Sequence, residues 1–433
     1  MPEVPAGEVD ALGRILLRLA RLFLGAGADS EYVNRRIEKL ARRWDATSEL
    51  FIGSERLLLM LSTEGAYRTR IGHAVGAMGV DAGRLFALDG LANDIEAGRT
   101  DAASAQARLD EIEGGVGGYS PWVVALAVAV TSASLALLFG AGPIAAAAAF
   151  VAGAVSLLLR RQLARLGLPA AATAAITATV SGAVGAFPLH VLQVDATLVL
   201  VAAGMILVPG VPLINGVRDL VQGHAAIGLD RLASGGLVVL AIVCGLAMAS
   251  ALCAVSLPFS SGNASPALPW DFVLSGLAAL GFAILFNAPA RSILPIVLCG
   301  ALSHGSRSLM THEGVDIVAA TLLATCLAGT VAVLLARYLE APWAAFAFPG
   351  VVAMVPGAYA FHGMMGAVEI MHRGGDSAPV LLGETFSALI TAGALTAAIG
   401  VGLLLAVVVG EGMVTVWGAA MARRASGPRR HAL

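Results

Sequence analysis

Charge is scarce in this chain: Asp, Glu, Lys and Arg supply 13% of its 433 residues, while 58% are hydrophobic and the mean hydropathy is +0.83. Such a composition does not clothe a water-soluble globule of this size, and it places the chain in the membrane class. A formal net charge of −2 leaves no dense basic face for a polyanion, so nucleic acid is excluded as a partner. Cysteine is sparse as well. Cys244, Cys253, Cys299 and Cys326 lie in apolar runs without CxxC spacing and read as small buried hydrophobes, so no metal site is expected. No GxSxG elbow, HExxH pair, Walker-type loop or DxxxD cluster occurs. Their absence removes support for ATP-driven transport and prenyl transfer, and no cofactor is implied. The first 120 residues open with charged, amphipathic sequence in place of a basic and apolar leader, so the N-terminal domain is expected to stay in the cytoplasm.

What is present divides in two. Charged residues concentrate before Tyr119, and the glycines between Gly114 and Gly118 mark a linker. Residues 1–118 therefore read as a small α+β domain. Apolar side chains recur at helical spacing over 10–25 and 30–43, with Asp29 and Ser30 as the cap of the second helix. Residues 48–62 and 66–72 have the composition of strands, and helical periodicity returns over 82–97 and 101–112. Ser62, Glu64 and His73 are scattered polar residues on these strands, the only support for an alternative in which a membrane-anchored enzyme works through its N-terminal domain.

From Pro121 onward, runs of about 20 apolar residues, one bilayer crossing each, predict a membrane all-α region. They fall near 122–140, 143–159, 169–187, 196–214 and 232–256, then near 271–287, 291–305, 315–336, 342–364 and 380–410. With the N-terminal domain inside, eleven arginines fall in cytoplasmic loops and tail and two, Arg307 and Arg373, in outer ones. That asymmetry orients the chain in an inner (plasma) membrane with both termini cytoplasmic. Residues 119–256 and 271–422 form the two halves, joined by an external linker at 257–270, and 423–433 is a basic cytoplasmic tail.

A shift of 147 residues overlays Gly153 on Gly300, Arg160 on Arg307, Gly182 on Gly329 and Val208-Pro209-Gly210 on Val355-Pro356-Gly357. Five spans per copy is an odd number, so the copies must enter the bilayer from opposite faces. Two inverted five-helix repeats are an architecture of secondary transporters.

The fourth and ninth spans carry matching interruptions, MILVPGVPLINGVRD and AMVPGAYAFHGMMGAVE. Pro209, Pro212 and Pro356 remove backbone donors and Gly210 and Gly357 loosen the helix, freeing polar groups that lipid cannot satisfy. Interrupted helices at matching positions point to a substrate site. Within it, Arg218 is placed to neutralise a carboxylate, and Asn215 and His362 to hydrogen-bond an amino or hydroxyl group. Arg218 with Asp219 reads equally well as an interfacial pair at the end of the fourth span. Asp219, Asp230, His362 and Glu384 are the candidates for carrying a coupled proton.

Three segments carry a family resemblance: GAGADSEYVNRRIEKLARRWD at 25–45, LVPGVPLINGVRDLVQGHAAIGLDRL at 207–232 and FPGVVAMVPGAYAFHGM at 348–364. They resemble the threonine/serine exporter family, in which a cytoplasmic domain precedes ten helices. The resemblance implies export of L-threonine and L-serine driven by the proton gradient, with relatives that export C4-dicarboxylates such as succinate. It carries onto Pro209, Gly210, Pro212, Asn215, Gly216, Arg218, Asp219, Pro356 and Gly357. The partners expected are small hydroxy amino acids, protons and the lipid bilayer, and a homo-oligomer is compatible with the sequence. Dicarboxylate export would favour two cations, Arg218 with Arg291, over one.

Overall fold

A computed structural model describes residues 6–63, 66–73, 79–115, 117–255, 267–376 and 378–425. Most of the expected 257–270 linker, the tail beyond 425 and Glu64 lie outside the described residues.

The N-terminal part is built as the spacing predicts. Helix α1 (Ala6–Gly25) buries Leu12, Ile15, Leu16, Leu19, Leu22 and Phe23, and α2 (Ser30–Ala41) buries Val33, Ile37 and Leu40 against it. Asp29 caps α2, its Oδ1 accepting the Tyr32 N–H at 3.0 Å. The stretch 48–62 resolves into two strands, because residues 53–55 turn the chain: β1 (Thr47–Ile52), β2 (Arg56–Thr63) and β3 (Ala66–His73) form an antiparallel sheet in sequence order. Leu57, Leu59 and Leu61 alternate into the core, as the two-residue period of a strand requires. Helices α3 (Ala82–Glu96) and α4 (Ala102–Gly114) are capped by Asp81 and Asp101.

The hydrophobic remainder is helical. Its elements are α5 (Pro121–Leu138), α6 (Pro143–Arg165), α7 (Ala170–Val191), α8 (Thr197–Met205), α9 (Gly210–Val221) and α10 (Ala225–Cys253). There follow α11 (Leu268–Leu285), α12 (Ala290–His312), α13 (Ile317–Tyr338), α14 (Ala344–Val351), α15 (Gly357–Arg373) and α16 (Pro379–Ala425). Among the described residues, eight helices are long and apolar enough to cross a membrane, or up to ten if the bent pairs α8/α9 and α14/α15 each count as one span. This is a multi-pass membrane protein. Helix α11 begins inside the stretch assigned to the linker, and α12 continues to His312, well past the expected end near 305.

The same helix pairs pack in both halves: α5 on α6, α6 on α7 and α7 on α10, then α11 on α12, α12 on α13 and α13 on α16. The halves meet where α5 crosses α11. That crossing is close because Gly281 has no side chain: a Cβ there would lie 2.5 Å from the Ala127 carbonyl oxygen and collide with the Thr131 hydroxyl.

Candidate functional site

Both interrupted spans break by the same turn. The Gly210 N–H donates to the Val208 carbonyl at 2.8 Å, and the Gly357 N–H to the Val355 carbonyl at 2.7 Å. Pro209 (φ −77°, ψ 66°) and Pro356 (φ −78°, ψ 48°) sit at the centres of these inverse γ-turns, a geometry close to the proline ring's own φ. The chain bends by 59° at the first and 44° at the second. The two breaks touch: a Cβ on Gly210 would meet Val355 at 2.9 Å, and one on Gly357 would meet Val208 at 3.3 Å.

The residues flanking these breaks separate toward opposite ends of the bundle. At the end bearing the N-terminal domain, Asn215, Arg218 and Asp219 turn onto the segment between α1 and α2. Asn215 Nδ2 donates to the Gly27 carbonyl at 3.0 Å, Arg218 Nη1 to Asp29 Oδ2 at 3.1 Å, and the Ser30 N–H to Asp219 Oδ1 at 3.2 Å. Arg231 of α10 completes the group, reaching Asp219 Oδ2 at 2.5 Å and the Ala28 carbonyl at 3.3 Å. Asp29, Arg218, Asp219 and Arg231 are all at most 2% exposed, so two acids and two bases balance in the dry interior. The Arg218 guanidinium also lies 4.8 Å from the Trp343 ring centroid. Arg218 and Asp219 are paired with other residues: Arg218 with Asp29, and Asp219 with Arg231. Nearby, the Ala82 N–H donates to the Phe286 carbonyl at 2.7 Å and Phe86 meets Phe346 edge-on. Arg291, the second cation required for a dicarboxylate, lies over the Phe86 ring at 5.3 Å.

On the other side of the breaks lies a cavity of about 280 Å³, below the usual ~300–1,000 Å³ of sites for drug-sized ligands and suited to a small metabolite. Pro356 and His362 line it; Arg218, Asn215, Asp219, Asp230 and Glu384 do not. Glu384 is exposed on α16 and Asp230 half-buried on α10. Pro212 lines a small crevice with Gly27 on the N-terminal-domain side.

The charges in this cavity come from Asp195, Asp271, His304 and Arg307, outside the set of expected site residues. Asp271, at the first turn of α11, accepts from His304 Nδ1 at 2.6 Å and from the Ser308 hydroxyl at 2.7 Å. Arg307 Nη2 lies 2.6 Å from His304 Nε2. The positive-inside pattern puts Arg307 in an outer loop, and His304 falls at the expected end of its span. Both are instead inside α12, which extends to His312, and His304 is 4% exposed. The polar run SHGSR depresses local hydropathy because that face lines a cavity. Ionisable residues inside a span were the signal that could have revealed it. Among the described residues, no cluster of His, Cys, Asp and Glu is grouped to hold a metal ion.

In the N-terminal part, Tyr32 Oη donates to Asp89 at 2.6 Å, and burial, with the Asp89 charge beside it, holds its phenol well above the ordinary value. Tyr32 stays protonated and structural.

Paired broken helices touching above a polar, charge-lined cavity in a multi-pass bundle define a membrane transporter. A family model described as a threonine/serine exporter matches residues 14–253, and a second, described as threonine/serine exporter, ThrE, matches residues 271–428. The chain belongs to the threonine/serine exporter family, a family of membrane transporters and not of enzymes. No solved structure matches it.

Proposed function

We propose that this protein exports small hydroxy amino acids, L-threonine and L-serine, across the inner membrane in exchange for protons, and that the cavity between α11, α12 and α15 is the substrate site. One observation carries this reading: a buried anion, Asp271, and the cavity's one arginine, Arg307, are bridged by the His304 imidazole, with the exposed Asp195 also on the wall. A zwitterion presents the complementary pair of charges, whereas a dicarboxylate calls for two cations. Arg218 and Arg291, the pair a dicarboxylate would need, are engaged at the other end of the bundle. Tyr359, His362 and Thr311 supply hydrogen-bonding groups for a substrate hydroxyl.

Alternating access would come from two inverted halves, 119–256 and 271–422, joined by an external linker at 257–270. Reciprocal contacts support that symmetry. Thr131 donates to the Ala278 carbonyl at 3.4 Å across a separation of 147 residues, the offset of the repeat. Gly210 touches Val355 as Gly357 touches Val208, and Gly153 packs on Ser132 as Gly300 packs on Ala279. The Gly210–Val355 and Gly357–Val208 contacts exchange equivalent partners between the halves, as a two-fold axis does, while the Gly153 and Gly300 contacts repeat one helix packing within each half. Residues 1–118 form the cytoplasmic domain, with 423–433 as the cytoplasmic tail. In this arrangement the domain seals the inner end through Asp29, Ala82 and Phe86 while the cavity faces outward, and it must withdraw for substrate to load.

Counterflow in proteoliposomes tests the reading. Labelled threonine should exchange, labelled succinate should not, and Arg307→Gln should abolish exchange while Arg291→Gln preserves it. Succinate flux without threonine flux would overturn the choice of substrate.

A further inference from the structure

Three of the cavity's ionisable groups, Asp271, His304 and Arg307, form a chain whose protons are fixed by their partners. An arginine side chain can only donate, so His304 Nε2, 2.6 Å from Arg307 Nη2, must accept. The remaining ring proton is then on Nδ1, and it points at Asp271 Oδ1 at 2.6 Å. His304 is thereby held as one neutral tautomer, and the Ser308 hydroxyl fixes the second oxygen of Asp271 at 2.7 Å. Asp271 is 2% exposed as a residue, yet it lines the cavity, so its carboxylate meets whatever enters and little else. A carboxylate has about four acceptor positions and two are taken; a guanidinium has five donors, of which His304 uses one. Both ends of the chain keep capacity for a ligand.

We propose that Asp271 is where proton and substrate exclude each other: its carboxylate binds either the ammonium group of the amino acid or a proton, never both. His304 is the positioning residue that holds the carboxylate and Arg307 apart at the spacing of a zwitterion. The proposal rests on the cavity being the substrate site. The balance is simple. With substrate bound, its ammonium lies on Asp271 and its carboxylate on Arg307, and these four charges sum to zero. When the amino acid leaves to the outside, one proton from water adds to the Asp271 carboxylate, and the Asp271–Arg307 pair carries one positive charge. Release of that proton on the inside restores the carboxylate for the next ammonium. One positive charge thus moves inward for each amino acid moved outward, which is the requirement for the membrane potential to drive export. The other titratable groups facing Asp271 are His304 and Arg307 on α12, Tyr359 and His362 on α15, and Asp195 between α7 and α8. Of these, His304 is in direct hydrogen-bond contact with it.

The experiment measures binding of labelled L-threonine to the purified full-length protein from about pH 3 to 8, a range that spans the ordinary aspartate titration, alongside flux driven by a pH gradient in proteoliposomes. One-for-one competition predicts that the wild-type apparent Kd rises about tenfold per pH unit on the acid side. Asp271→Asn should bind weakly with no pH slope and lose gradient-driven flux. Because that variant could fail to fold, Asp271→Glu and His304→Gln are measured with it; each keeps a carboxylate and should retain the slope with a displaced midpoint, which a purely structural role would not move. Asp271→Asn with the wild-type slope, or both other variants with the wild-type midpoint, overturns the proposal and leaves the substrate site standing. A wild-type protein that binds and moves no threonine overturns the substrate reading and this proposal together.

Discussion

Replacing Arg218 by Gln takes one charge out of a group of four that balances to zero. Asp29, left without its partner at 3.1 Å, stays 1% exposed and shares the pocket with Asp219, a second carboxylate. Breaking a buried pair from one side costs about 3–5 kcal/mol, because the remaining charge is desolvated and uncompensated. At ~1.4 kcal/mol per decade, the equilibrium between the sealed and withdrawn N-terminal domain should shift by about 10²- to 10⁴-fold. The Ser30 N–H, which donates to Asp219 across this interface, reports the shift directly. Hydrogen exchange of the segment spanning residues 26–33, measured on the full chain in nanodiscs, should lose protection by that factor. The double variant Asp29→Asn/Arg218→Gln removes both charges and keeps an acceptor to cap α2, so most of the protection should return. Wild-type protection in Arg218→Gln, or a double variant as unprotected as the single one, would refute the reasoning.

Two further outcomes follow from the geometry. Gly281→Ala inserts a methyl group against the Thr131 hydroxyl and the Ala127 carbonyl; overpacking of this kind costs roughly 1–3 kcal/mol, so the melting temperature in detergent should fall, and an unchanged value would mean that α5 and α11 can separate freely. In the N-terminal domain, burial alone would lift the Glu113 carboxyl, but hydrogen bonds and charge from Arg18 and Arg21 outweigh it and hold the group below the usual range. A depressed carboxyl contributes stability above its unfolded value, about pH 4.3, and loses it as pH falls. Glu113→Gln should therefore be less stable than wild type at neutral pH and lose less on acidification. Parallel melting curves for the two proteins from neutral to acid pH would contradict this.

The sequence by itself determined the solvent, the helices and the interruptions. Long apolar runs can only be satisfied in lipid as helices, and a Val-Pro-Gly triplet within such a run leaves backbone groups unpaired wherever it occurs, so the breaks at Pro209 and Pro356 were legible. The helix spacing of α1 and α2 and the Asp29 cap were legible for the same reason: each depends on neighbours within a few residues. Which side of the breaks each polar residue faces was not. Asn215 and His362 follow the two Val-Pro-Gly breaks at the same spacing, yet one is bonded to the Gly27 carbonyl and the other lines the cavity. The difference arises because the N-terminal domain packs against Asn215 and its neighbours on α9. Asp29 and Arg218 are 189 residues apart, as are Ser30 and Asp219, and Asp271 meets His304 across two helices. No local pattern announces such pairs, since a charge finds its partner only after packing has removed the water. Tertiary structure alone decided that one set of charges seals the domain interface and another lines the cavity.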